Sequence, residues 1–237
     1  MPLDHRTTPL GLAAVLALTL TVGCGGSPKP QAAVAEAAPV TEEIDRGASF
    51  YESEIGGMNE AGVEDTFQAL ARPIGRCFEQ ASARVEQIGG SFTVSFRVDR
   101  KGHTRWAYLK TSTIGDRATE ACILDLVRSR PWPKPLSGEG LAEKTIDIEP
   151  STAPHVLDQK RVRGVARLAK TRTAACRRGV RGTFLTTAYL EPDGRVRTAG
   201  VATPDEKTES VADCIASEVQ KLRFGGTGKL SKVTFEI

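Results

Sequence analysis

Nine lysines and arginines, and no acid, fill Lys160–Arg181, KRVRGVARLAKTRTAACRRGVR. At 100° per residue, Val162, Val165, Ala166, Ala169, Thr173 and Cys176 share one helical face. Lys160, Arg163, Arg167, Lys170, Arg177 and Arg178 lie on the other side. A cationic face of this kind fits an anionic partner: lipid headgroups, lipopolysaccharide phosphates or an acidic protein. The same pattern also suits a plain solvated helix face, or docking of the chain's own acidic stretch. That stretch carries eight Asp and Glu between Glu42 and Asp65. Nucleic acid would need similar charge, but few aromatics interleave with these arginines, and the net charge of the whole chain is only +3.

Catalytic patterns are weak by comparison. GGTGKLS, Gly225–Ser231, has the glycines of a phosphate loop but not their spacing. Arg223 stands where the first glycine belongs, and Leu230 follows Lys229 in place of Ser or Thr. The segment reads as a connection into a strand. Neither HExxH nor GxSxG occurs, and no CxxC is present. His103 falls in a hairpin and His155 follows Pro154, without zinc-ligand spacing. The expectation is a non-catalytic protein with no cofactor and no metal.

The cysteines speak to compartment. Leu10–Val22, LGLAAVLALTLTV, is a 13-residue apolar run. It is too short for a membrane span of ~20 residues and fits the core of a signal peptide. It leads into Thr21-Val22-Gly23-Cys24, which resembles the lipobox of bacterial lipoproteins; that resemblance implies lipidation of Cys24. Gly25 after the cysteine resembles the pattern for outer-membrane sorting, facing the periplasm. Four cysteines remain: Cys77, Cys122, Cys176 and Cys214. An even number in an exported chain argues for disulfides, with buried thiols and metal ligation as the rival readings.

These residues are held by a repeated frame. A shift of 92 aligns Phe92 with Phe184, Gly102 with Gly194, Arg105 with Arg197, Cys122 with Cys214 and Trp132 with Phe224. Each copy reads as a cysteine-bearing helix, an alternating strand, a glycine turn, a return strand, a second cysteine-bearing helix and a closing strand. In the first copy SFTVSFRVD puts Phe92, Val94, Phe96 and Val98 on one side, while GTFLTTAYLE is a looser version. Pro73 is expected to kink or divide the first helix. The predicted class is α+β: two tandem α-β-β-α-β modules, each a three-stranded antiparallel sheet with helices on one face. The boundaries are a signal peptide at 1–23, a flexible tether at 24–63, and modules at 64–150 and 156–237. Two helices on one small sheet must adjoin, which favours Cys77–Cys122 and Cys176–Cys214; pairings between the copies stay open. Trp132 and Phe224 read as core plugs at helix ends.

Cys77 in PIGRCFEQ, the strand SFTVSFRVDRKG, STIGD at Ser112–Asp116 and ACILDLVRSRPWPKP together resemble the TonB C-terminal-like superfamily. They are most similar to the AgmX/PglI C-terminal family of myxobacterial gliding-motility and envelope proteins. Residues 66–149 carry this resemblance; 156–237 matches less well, with Ala202-Thr203-Pro204-Asp205 for STIGD. It implies a periplasmic interaction module whose partners are envelope proteins, as part of a gliding-motility or envelope machine. A lipid-, lipopolysaccharide- or glycan-binding accessory built on the basic helix is the alternative. A lipobox in place of a transmembrane anchor argues against energy transduction.

Overall fold

The computed structural model describes Phe50, Tyr51 and residues 57–237. The predicted signal peptide, Cys24 and most of the tether lie outside the described residues. Strands β1 (Phe50–Tyr51) and β2 (Met58–Asn59) form a short antiparallel pair. Helix α1 (Glu60–Ser82) follows at once, and the Asn59 side chain accepts from the Gly62 N–H at 2.7 Å as its N-cap. The fold therefore begins earlier than residue 64, because Met58 and Val63 already belong to the core.

α1 runs through Pro73 without dividing. An internal proline costs about 3 kcal/mol. Here Phe67, Leu70, Ile74, Cys77, Phe78 and Ala81 are buried along one stripe. Each large apolar side chain so buried contributes roughly 1.5–3 kcal/mol, so the stripe outweighs the proline.

β3 (Gly90–Val98), β4 (Thr104–Ser112), α2 (Arg117–Ser129) and β5 (Gly140–Ile148) complete the first half. The sheet is antiparallel in the order β4-β3-β5. Phe92, Val94, Phe96 and Val98 are all buried, as their alternation requires. Trp132 plugs the end of this core: its ring centroid lies 4.1 Å from Phe96 and 5.0 Å from Phe67, and its indole N–H donates to the Val127 carbonyl at 3.0 Å.

The second half contains β6 (His155–Val156), α3 (Gln159–Arg172), β7 (Leu185–Leu190), β8 (Val196–Ala202), a 3-10 turn (Glu206–Val211), α4 (Ala212–Gln220) and β9 (Ser231–Glu236). Its sheet has the order β6-β9-β7-β8. It departs from the expected three antiparallel strands, because β6 joins β9 in parallel and makes a fourth. The segment between the halves thus becomes a strand, with the His155 N–H donating to the Leu230 carbonyl. β7 is buried on both faces: Ala188 and Leu190 belong to the second core, while Tyr189 belongs to the first. That is why its sequence lacks clean alternation.

A second departure concerns Cys176, which lies in turns beyond α3 and not within it. Thr171 and Thr173 bond back to the Arg167 and Ala169 carbonyls at 3.2 and 2.8 Å, competing with the helical ladder at its end.

Two positions 92 apart make one contact in common. The Trp132 N–H donates to the Gly102 carbonyl at 2.9 Å, and the Phe224 N–H to the Gly194 carbonyl at 2.7 Å. Gly194 has φ +85°, and a Cβ there would sit 1.7 Å from the Phe224 carbonyl oxygen. Gly194→Ala is therefore expected to destabilise by at least about 2 kcal/mol, read as a shift in the urea midpoint at unchanged slope.

Candidate interaction surfaces

Each of the two larger sheets has two edges, and the β4 and β8 edges are covered where the halves meet. Along the outer side of β4, the Ala107 carbonyl accepts from the Arg128 guanidinium at 2.9 Å. The Leu109 carbonyl accepts from the Thr203 N–H at 3.0 Å, and the Ser112 carbonyl from the Thr187 hydroxyl at 3.3 Å. Thr187 and Thr203 come from the second half, so the β4 edge is closed by it. β8 meets this seam from the other side. Its Val201 N–H donates at 2.8 Å to a carboxylate oxygen of Glu120, a residue of α2. On the far side of the second sheet, β6 pairs with the start of β9 and α3 packs against the same strand.

Glu120 is the chemically unusual residue of the seam. It is 0% exposed. The Ser112 hydroxyl donates to its Oε1 at 2.6 Å, and Arg117 Nη1 stands 4.0 Å from its Oε2. Burial pushes the carboxyl up to about 7, against the hydrogen bonds from Ser112 and Val201 and the charge of Arg117, which favour the ionised form. Arg117 is shared: it bonds Glu209 at 2.7 Å and Asp213 at 2.6 Å, both in the second half. A Cβ at Gly200 would lie 2.3 Å from Glu120 Oε1, so glycine leaves room for the carboxylate beside the strand. A second link lies nearby. Lys232 Nζ donates to the Gly89 carbonyl at 2.7 Å and sits 5.3 Å from the centre of the Tyr189 ring, whose hydroxyl donates to the Gln87 carbonyl at 3.1 Å. Burial pulls the Lys232 ammonium down to about 8.

β5 is the fourth edge. It pairs with β3 over nine residues, from Gly140↔Val98 to Ile148↔Gly90. No backbone group of residues 140–148 has another hydrogen-bond partner among the described residues. Its side chains are anchored on both faces. Lys144 points to the helix side and pairs with Glu64 of α1. On the other face Glu143 pairs with Lys110 at 2.9 Å, and the Thr145 and Thr93 hydroxyls bond at 2.8 Å. An inward lysine is a usual guard against indiscriminate strand pairing. Lys144 is held by Glu64 and leaves the outward backbone groups of β5 uncovered.

The predicted cationic residues largely share one surface. Lys160, Arg163, Arg167, Lys170 and Arg178 are exposed, opposite buried Val165, Ala169 and Thr173. None of these five has an ion-pair partner among the described residues. Arg177 is different: its guanidinium donates to the Lys170 carbonyl at 2.9 Å and to the Thr173 hydroxyl at 3.3 Å. It caps the C-terminal end of α3, so it leaves the proposed anion-binding set and acts structurally.

The four described cysteines form Cys77–Cys122 and Cys176–Cys214, with Cα separations of 6.0 and 5.7 Å. The glycine loop is used internally: the Thr227 and Gly228 N–H groups both donate to the Pro192 carbonyl at 3.0 Å. Within STIGD, Asp116 caps α2 by accepting from the Thr119 N–H at 3.1 Å and is gripped by Arg84. The seam residues Glu120, Arg117 and Glu209 were not singled out from sequence. A signal did exist, since Glu120 lies on the helical stripe of Ile123, Leu124 and Val127, where an acid is out of place.

Among the described residues no cluster of three or more His, Cys, Asp or Glu is placed to hold a metal ion, and no helix is long and apolar enough to cross a membrane. No family model, curated protein or solved structure matches the chain.

Proposed function

We propose that this chain is a non-catalytic interaction module of a bacterial envelope, lipid-anchored through Cys24, that receives an extended partner segment along β5. The observation that carries the reading is the nine-residue edge whose outward backbone groups have no partner among the described residues, while the β4 and β8 edges are covered and the β6 edge is only two residues long. Main-chain pairing on such an edge supplies affinity, and alternate side chains supply selectivity. The two disulfides suit an exported protein.

The test is crosslinking in intact source cells, with recovery of bound proteins by mass spectrometry. Thr145→Lys/Asp147→Lys adds charge to the edge, which disfavours strand addition. Arg163→Gln/Arg167→Gln/Lys170→Gln/Arg178→Gln neutralises the α3 face. A reproducible envelope partner should fall at least tenfold in the edge variant and persist in the α3 variant. The reverse pattern would overturn the reading.

A further inference from the structure

Beside the cationic surface of α3 lies an apolar cleft of about 330 Å³, between α3 and the segment that follows α4. Leu157, Val165, Leu168 and Phe224 supply its apolar lining. Gly164 and Gly225 also line it, and a Cβ at either would meet nothing within 4 Å. Arg161 and Arg223 stand at the rim, and each is steadied by an acid: Asp158 at 3.7 Å and Asp193 at 2.8 Å. Leu168 is 38% exposed although it sits between Arg167 and Lys170. Residues 161, 164, 165 and 168 form one helical stripe. On the helical wheel that stripe borders the stripe of Lys160, Arg163 and Arg167. The helix thus presents cations without acidic partners next to an accessible apolar slot.

We propose that this face docks on a bilayer containing anionic phospholipid, with Lys160, Arg163 and Arg167 at the headgroups and Leu168 and the cleft receiving apolar surface of an acyl chain. Charge complementarity favours a lipid surface: each Lys or Arg near an anionic leaflet contributes on the order of 1 kcal/mol. The apolar slot supplies what a merely solvated charged face lacks. Its volume is at the lower end of ligand sites, ~300–1,000 Å³, enough for part of a chain and not for a whole lipid. The α3 face is distinct from β5, so the protein could hold a partner strand while resting on the membrane.

The test uses the full chain and vesicles of pure phosphatidylcholine or of phosphatidylcholine with one third phosphatidylglycerol. Comparing the two removes any contribution of the N-terminal anchor, which both vesicles accept. Arg163→Gln/Arg167→Gln should lower affinity for the anionic vesicles about 30-fold, the equivalent of two cations at the surface. Leu168→Ser should lower it several-fold at unchanged net charge. Raising salt from 0.1 to 0.5 M should erase most of the anionic preference. Equal binding to both vesicles, or an anionic preference that ignores both variants, would overturn the proposal. An effect of the arginine changes without any effect of Leu168→Ser, together with displacement by a soluble poly-glutamate peptide, would assign the face to an acidic protein instead. Circular dichroism and thermal unfolding of each variant verify that it is folded.

Discussion

Stability should fall as the pH rises from 4.5 to about 7, by roughly 3 kcal/mol in total, through Glu120 alone. In the unfolded chain this carboxyl has its ordinary value of 4.5, whereas in the folded protein burial pushes it up to about 7. Between these values the native state binds a proton that the unfolded state has released, so raising the pH favours unfolding. The contribution is complete below 4.5 and gone above about 7. Paired carboxylates such as Asp193, held down to about 2 by the Arg195 backbone N–H and by the Arg195 and Arg223 side chains, lose their contribution only at much lower pH. Lys232, at about 8, acts in the opposite sense and higher up, where stability rises toward its ordinary 10.5.

Glu120→Gln should flatten this slope. Its carbonyl oxygen can still accept from the Val201 N–H, while its amide donates to the rotatable Ser112 hydroxyl. At pH 8 the glutamine protein should be at least as stable as the wild type. Glu120→Ala should instead lose about 2–4 kcal/mol at pH 5, because the Val201 amide loses its acceptor and a cavity opens in the seam, and this deficit should shrink toward pH 8 as the wild type loses the Glu120 contribution. Guanidinium unfolding of the three proteins at pH 5, 6, 7 and 8 gives all these values. A wild-type slope retained in Glu120→Gln would remove Glu120 from the account.

Reduction of both disulfides should be the larger effect. Cys77–Cys122 and Cys176–Cys214 span 45 and 38 residues. In the chain-entropy model each contributes about 4 kcal/mol. Two such losses approach the whole stability of a typical domain, ~5–15 kcal/mol. Cys77→Ser/Cys122→Ser alone should lower the urea midpoint strongly, and the wild type in reductant should be largely unfolded at 37 °C. A non-reducing peptide map should contain only these two linked pairs of peptides. A Cys77–Cys176 or Cys122–Cys214 peptide would contradict the arrangement of the helices.

The first half is the more legible in sequence because its sheet has one buried face. Phe92, Val94, Phe96 and Val98 alternate cleanly, and Asp116 announces the start of α2. The second half hides its pattern. Tyr189 and Thr187 face the first half while Ala188 and Leu190 face their own helices, so β7 is apolar or buried throughout. β6 has only two residues and pairs through its backbone, which leaves no periodicity to read. Periodicity did place the residues of α3 on the correct faces. It could not show that the helix stops at Arg172, or that Arg177 turns back to cap it. The seam is hard to read for a different reason: Glu120 lies some eighty residues from Gly200 and Val201, and only packing of the halves gives its out-of-place acid on the α2 stripe a meaning. The open edge likewise follows from which strands cover one another, a property of topology and not of any residue type.

Strand addition at β5 is the central claim, and register is its most direct signature. Photo-crosslinking residues placed in turn at Leu141, Glu143, Thr145 and Asp147 should each capture the same envelope protein. The captured positions on that partner should step by about two residues per site, in one direction, along one extended segment. Capture of unrelated proteins, or of one partner at positions with no linear order, would contradict strand addition and remove β5 as the binding surface.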